Sequence, residues 1–151
     1  MTGTYIGIYF TDKSNNVLNA IRNSMGVLSN DPHKDTFHTT IAYSRNTKID
    51  IETFKKEASK YIGTKVIVKG IPEIWMDHKN RPILVLKLTS CPLFKSLHQL
   101  TKTLGATSDY PTFKPHITLD YEYKHSNIIL SRKISFELTI DRFEIEDIIE
   151  E

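Results

Sequence analysis

Two short stretches of this chain repeat one pattern of chemistry-bearing residues. His38-Thr39-Thr40-Ile41 and His116-Ile117-Thr118-Leu119 each set a histidine two positions before a threonine, with an apolar residue after it. Both stretches are β-branched and apolar, and both are predicted as strands. Alternation along a strand puts positions i and i+2 on one face, so His38 points with Thr40 and His116 with Thr118. Two such pairs converging on one cleft suit attack on a phosphate ester. A neutral imidazole accepts a proton from the nucleophile, while an imidazolium opposite donates one to the leaving oxygen. Threonine hydroxyls hydrogen-bond the non-bridging oxygens as charge builds. No step of this scheme calls for a metal or another cofactor. A single His-x-Thr is more often an ordinary strand histidine; two copies at matching places point to a shared site.

The elements that must position these residues can be read along the chain. Thr4–Phe10 is a buried strand, and Ser14 or Asn15 caps a helix with Leu18, Ile21, Met25 and Leu28 on one face. Asn30-Asp31-Pro32 ends it in a turn, and Phe37–Tyr43 is the next strand. Asp50 precedes a helix with Ile51, Phe54, Ala58 and Tyr61 inward and Gly63 as its stop. Thr64–Met76 reads as a strand broken by Gly70 and Pro72, followed by a turn at Asp77-His78-Lys79-Asn80. Pro82–Thr89 is a strand, Pro92 opens a helix lined by Leu93, Leu97, Leu100 and Leu104, and Gly105 closes it. Pro115–Tyr121 and Lys133–Ile149 supply the remaining strands. Strand, helix and short strand thus occur twice, and Phe10 to His38 spans 28 positions where Thr89 to His116 spans 27. Two similar halves, about 1–76 and 77–151, are expected within one domain covering 1–151.

Composition narrows the class. The 151 residues suffice for one domain with a real core. No run approaches the ~20 apolar residues of a membrane-spanning helix. Lys plus Arg less Asp plus Glu is 20 − 18 = +2, which disfavours a long nucleic-acid partner but leaves room for a small anionic ligand. The single cysteine, Cys91, forms no disulfide with itself and has no His/Asp arrangement about it, so it reads as structural. With no signal-peptide pattern, the cytoplasm is the expected location.

The paired His-x-Thr-apolar motifs resemble those of the 2H phosphoesterase superfamily, and the resemblance extends over nearly the whole chain. It implies an α+β, bilobed fold in which two similar halves of antiparallel sheet, with packed helices, surround a central cleft. It also implies His38, Thr40, His116 and Thr118 as the catalytic residues, with one histidine as base and the other as acid. The chain is most similar to phage members that degrade cyclic di- or trinucleotide immune messengers such as cyclic GMP-AMP. That likeness implies a metal-independent hydrolase that opens 3′–5′ bonds by 2′-OH attack and helps a virus evade immunity in the host bacterial cytoplasm. It implies no obligatory protein partner and no membrane. An RNA 2′,3′-cyclic phosphodiesterase and a non-catalytic cyclic-nucleotide sponge are the alternatives.

A cyclic nucleotide presents flat bases that aromatic residues stack on. The resemblance tilts Trp75 from an edge residue towards base stacking. Tyr9 shares a strand face with Tyr5 and with Gly7, whose missing side chain leaves room beside it, and Tyr9 is a candidate for lining the cleft. In the last segment the apolar set moves from even positions (Phe136, Leu138, Ile140) to odd ones (Phe143, Ile145), so a bulge or a strand break is expected near Asp141-Arg142. The resemblance makes Glu144 the candidate for a base edge and the last residues a candidate cover for the ligand. Lys114 is a further candidate for the phosphate. His33, His78, His98 and His125 have no partner motif and read as bystanders.

Overall fold

The computed structural model describes residues 2–27, 36–45, 47–107, 112–123 and 132–149. The expectations for Leu28, the turn at Asn30-Asp31-Pro32, His33, His125 and the last two glutamates lie outside the described residues. The architecture is α+β: one antiparallel sheet of six strands and three α-helices among the described residues. The elements are β1 (Thr2–Phe10), α1 (Asp12–Ser24), β2 (His38–Ser44), α2 (Ile51–Ala58), β3 (Lys65–Met76), β4 (Pro82–Ser90), α3 (Pro92–Thr103), β5 (His116–Asp120) and β6 (Ile134–Ile149). A single 3-10 turn, Ser59–Tyr61, extends α2. The strand order is β2-β1-β6-β3-β4-β5.

Alternation gives the sheet two unlike faces. Ile6, Ile8 and Phe10 of β1, Leu84, Leu86 and Leu88 of β4, and Phe136, Leu138 and Ile140 of β6 are buried in one core with Leu18, Phe54, Phe94 and Leu97 of the helices. The intervening residues face the other way and carry the polar groups considered below. β6 joins the two ends of the sheet: its first part, Ile134 to Thr139, pairs with β3, and Ile140 to Ile149 pair with β1. The register slips between Tyr9–Arg142 and Phe10–Ile140, leaving Asp141 as the extra residue. That is the bulge expected from the switch of apolar parity, and it is why Arg142, Glu144 and Glu146 face the same side as Tyr9, Gly7 and Tyr5.

The two His-x-Thr strands sit in identical local pairings. Tyr9 lies opposite His38 and Gly7 opposite Thr40; Lys87 lies opposite His116 and Val85 opposite Thr118. Each residue of the second set follows its counterpart by 78 positions (9 to 87, 38 to 116, 7 to 85, 40 to 118). The register shift recurs with the same offset, between Ile6 and Gly7 and between Leu84 and Val85. The β3–β4 hairpin turn, closed by the Asp77 carboxylate on the backbone N–H groups of Lys79 and Arg81 at 2.8 Å each, stands between the two units.

Three local expectations are corrected. Thr11, not Ser14 or Asn15, caps α1, its hydroxyl accepting from the Ser14 N–H at 3.3 Å. Ser14 and Asn15 are engaged elsewhere: the Ser14 hydroxyl accepts from Thr139 N–H at 2.7 Å, and the Asn15 carbonyl accepts from Phe37 N–H at 3.1 Å. β3 runs unbroken through Gly70 and Pro72, with only a register shift at Lys69/Gly70. Pro72 is tolerated because β6 pairs with β3 only as far as Gly70, so its missing N–H falls on a free edge. On α3, Phe94, Leu97 and Thr101 form the buried centre, and Leu93, Leu100 and Leu104 flank it. Gly63 and Gly105 end their helices with φ of +87° and +113°, the left-handed geometry expected of helix stops.

Candidate active site

β2 and β5 stand at opposite ends of the strand order, yet they contact each other. The helices bring them together by crossing over: α3 packs on β2, and α1 packs on β5. The sharpest of these contacts is made by His98 of α3. Its Nδ1 meets the Ile41 carbonyl at 2.7 Å, and its ring stacks on Phe113, just before β5, with centroids 4.1 Å apart and planes 8° apart. A carbonyl only accepts, so Nδ1 carries the proton. His98, which reads as a bystander in the sequence, therefore ties the first motif strand to the approach of the second. Asn15 adds a second tie, holding the Phe37 N–H next to His38 while its own amide donates to the Phe10 carbonyl at 3.4 Å.

The two imidazoles lie on the sheet face turned away from the core, on strands that contact each other. Burial lowers both below the ordinary histidine value. The charge of His116 lowers His38 further, so the rings lie within electrostatic reach, and the Glu144 carboxylate partly offsets this. His116 Nδ1 donates to the Lys114 carbonyl at 3.0 Å, which raises its affinity for a proton and leaves Nε2 as the nitrogen available for proton transfer. The Lys114 backbone carbonyl thus reaches the site through His116. Burial favours the neutral, proton-accepting form of each ring, and proximity disfavours both being charged together. That arrangement favours at most one charged ring at a time.

Each motif threonine stands beside a tyrosine and favours its ionised form, Thr40 beside Tyr5 and Thr118 beside Tyr121, while burial raises the pKa of both phenols. Tyr9 stacks on His38 with centroids 5.0 Å apart and planes at 12°, and the Arg142 guanidinium lies 4.9 Å from its centroid. The Tyr9 hydroxyl lies near Tyr5 and the Glu144 carboxylate, and burial above all pushes its pKa up strongly. Gly7 makes this cluster fit: a Cβ there would collide with the Tyr5 hydroxyl and come within 3.1 Å of the Tyr9 ring. Trp75 is half-buried, and its ring centroid is 4.6 Å from that of His116; its Nε1–H donates to Glu73 at 2.8 Å. Val85 is completely buried yet stands outside the main core, as the floor under this face.

The structure therefore assembles His38, Thr40, His116, Thr118, Tyr9, Trp75 and Glu144 in one region. It adds Tyr5, Tyr121, Arg142 and Glu73, which sequence reasoning left without a role. Tyr5 was within reach of the period-two pattern shared with Tyr9. Tyr121 lies just beyond the end of β5, where strand alternation gives no guide. His78 lies in the β3–β4 hairpin turn. Cys91 is buried in the core at the start of α3, and burial pushes its thiol pKa up, as suits a structural residue. A cavity of about 420 Å³ lined by Ile51, Lys55, Phe143, Ile145 and Asp147 lies on the helical side of β6, facing away from the histidines.

Comparison with known proteins agrees on one family. The family model described as anti-CBASS protein Acb1 matches residues 2–151. The anti-CBASS protein Acb1 of Acinetobacter phage Ac42 is 32% identical over 120 residues, covering 80% of this chain and 73% of that protein. That of Vibrio phage KVP40 is 31% identical over 120 residues, with the same shares covered. That of Enterobacteria phage T4 is 28% identical over 141 residues, covering 93% of this chain and 85% of its own. The crystal structure of TT0787 of Thermus thermophilus superposes with a TM-score of 0.54 over 96% of this chain and 87% of that one; at 14% identity it supports the fold alone. No helix among the described residues is long and apolar enough to cross a membrane. With the family model spanning the whole described chain, this protein belongs to the anti-CBASS protein Acb1 family.

Proposed function

We propose that the chain is a 2H-type phosphodiesterase that opens 3′–5′ bonds of cyclic di- or trinucleotide messengers, and that it counters host CBASS defence in the bacterial cytoplasm. The observation that carries the chemistry is the meeting of two His-x-Thr strands from opposite ends of the sheet, close enough for one imidazole to feel the other's charge. Family membership carries the class of substrate.

One imidazole takes the proton of a ribose 2′-OH, and the oxygen attacks the adjacent phosphorus. The phosphorus–5′-oxygen bond breaks as the other imidazolium protonates that oxygen. The ring opens to a linear oligonucleotide with a 2′,3′-cyclic phosphate and a 5′-hydroxyl, and water can then hydrolyse the cyclic phosphate. Thr40 and Thr118 donate to the non-bridging oxygens, with Tyr5 and Tyr121 beside them. Trp75 and Tyr9 supply stacking surfaces beside the two histidines, and Glu144 accepts from a base edge. The site is then a cleft between two similar halves of a bilobed domain.

Incubation with cyclic GMP-AMP in EDTA, followed by chromatography, tests this reading. A linear product ending in a 2′,3′-cyclic phosphate is expected. Tightly held, intact cyclic GMP-AMP would mark a sponge. Indifference to it, with turnover of RNA 2′,3′-cyclic ends, would mark an RNA-end enzyme.

A further inference from the structure

The repeated register sets one unlike pair at matching places: Tyr9 opposite His38, and Lys87 opposite His116. Residues directly opposite on neighbouring antiparallel strands have Cβ atoms about 5 Å apart and share a face. Leu86 and Leu88 on either side of Lys87 are buried in the core, so Lys87 faces the histidine side, where it is exposed. On the opposite side of Lys87 stands Ile71, an uncharged neighbour.

The charge environment makes Lys87 distinctive. Arg142, the cation on the Tyr9 side, is already held by Asp141 at 2.9 Å and Glu144 at 3.4 Å. Glu73, two residues along β3 from the Ile71 that lies opposite Lys87, accepts from Trp75. Among the described residues Lys87 forms no ion pair. A flexible ammonium beside the proposed catalytic pair, making no ion pair of its own among the described residues, is suited to hold an anionic oxygen. The scissile phosphate already faces two imidazoles and two threonine hydroxyls, and a cyclic oligonucleotide always carries at least one phosphate more.

Resting on the function proposed above, we infer that Lys87 is a substrate-binding residue that holds a non-scissile phosphate of the cyclic ligand on the His116 side of the site.

Affinity and turnover can be read separately. Kd for cyclic GMP-AMP is measured by calorimetry in His38→Ala and in His38→Ala/Lys87→Ala, neither of which turns the ligand over. Lys87→Ala is expected to weaken binding about ten-fold, the loss of one charge-assisted contact, with Lys87→Arg restoring most of it. In the otherwise native enzyme, Lys87→Ala should raise KM by a similar factor at unchanged kcat and flatten the dependence of KM on salt. Unchanged Kd, or a fall in kcat at constant KM, would overturn the assignment. Failure of the native protein to open cyclic GMP-AMP would instead count against the proposed function, and the pair of Kd values would still decide the role of Lys87.

Discussion

At the scale of single residues, two imidazoles share one local field. Burial lowers both, and the charge of His116 acts on His38. Removing one ring should therefore change the titration of the other. In His116→Gln the like-charge penalty disappears, so His38 should titrate at a higher pH than in the parent, as followed by NMR of its ring Cε1–H signal. An unchanged His38 titration would mean that the rings do not face each other. The paired histidines and threonines were legible because strand alternation is strict and the motif occurs twice. Tyr121 and Glu73 were not, because their roles depend on neighbours two or three residues away along the chain, Trp75 for Glu73 and Thr118 for Tyr121, whose approach is set by side-chain direction and not by a motif. His98 was misread for a different reason: its partners, Ile41 and Phe113, are far away in sequence and are brought to it only by the crossing of α3 onto β2.

At the scale of elements, β1 is the strand that aligns the first half of the site. Its alternate residues Tyr5, Gly7 and Tyr9 form the floor under His38 and Thr40, and the absent side chain at Gly7 is what lets Tyr5 lie over it. Gly7→Ala places a methyl group where the Tyr5 hydroxyl sits and against the Tyr9 ring. Tyr5 is only half-buried and can swing outward, so the fold should survive while Thr40 loses its partner. A fall in kcat/KM of about ten- to a hundred-fold with an intact far-UV spectrum is the expected result, in line with the cost of small displacements at a catalytic site. Full activity in Gly7→Ala would show that the Tyr5–Thr40 contact does not matter to catalysis. The strand and helix types were largely readable from periodicity and from Gly and Pro punctuation. The continuity of β3 through Pro72 was not, since it depends on where β6 stops pairing.

At the scale of the whole molecule, the sheet curls so that its first and last strands meet, and the two polar pairs end up half-buried. This leaves a signature in stability. Each histidine titrates below its ordinary value of 6.5 when folded, so between the two values the unfolded chain binds more protons than the native one. Their contribution to stability is complete above about pH 6.5 and is lost as the pH falls through the folded values. Urea unfolding between pH 7.5 and pH 5 should show this loss, and His38→Gln/His116→Gln should lose less over the same interval. An equal loss in both proteins would assign the acid sensitivity to other groups. The matched registers of β1–β2 and β4–β5, 78 positions apart, also give the curled sheet a nearly repeated plan. The sequence spacing of the motifs hinted at this, but strand pairing was needed to align the copies residue by residue.

The central claim is that His38 and His116 together open a cyclic phosphodiester ring. The most direct measurement is the rate of cyclic GMP-AMP opening in EDTA by the native chain, His38→Ala and His116→Ala, with folding verified by circular dichroism. The account predicts a linear product with a 2′,3′-cyclic end from the native chain, and rates at least about a hundred-fold lower in either folded variant. Turnover by both variants at the native rate would contradict it.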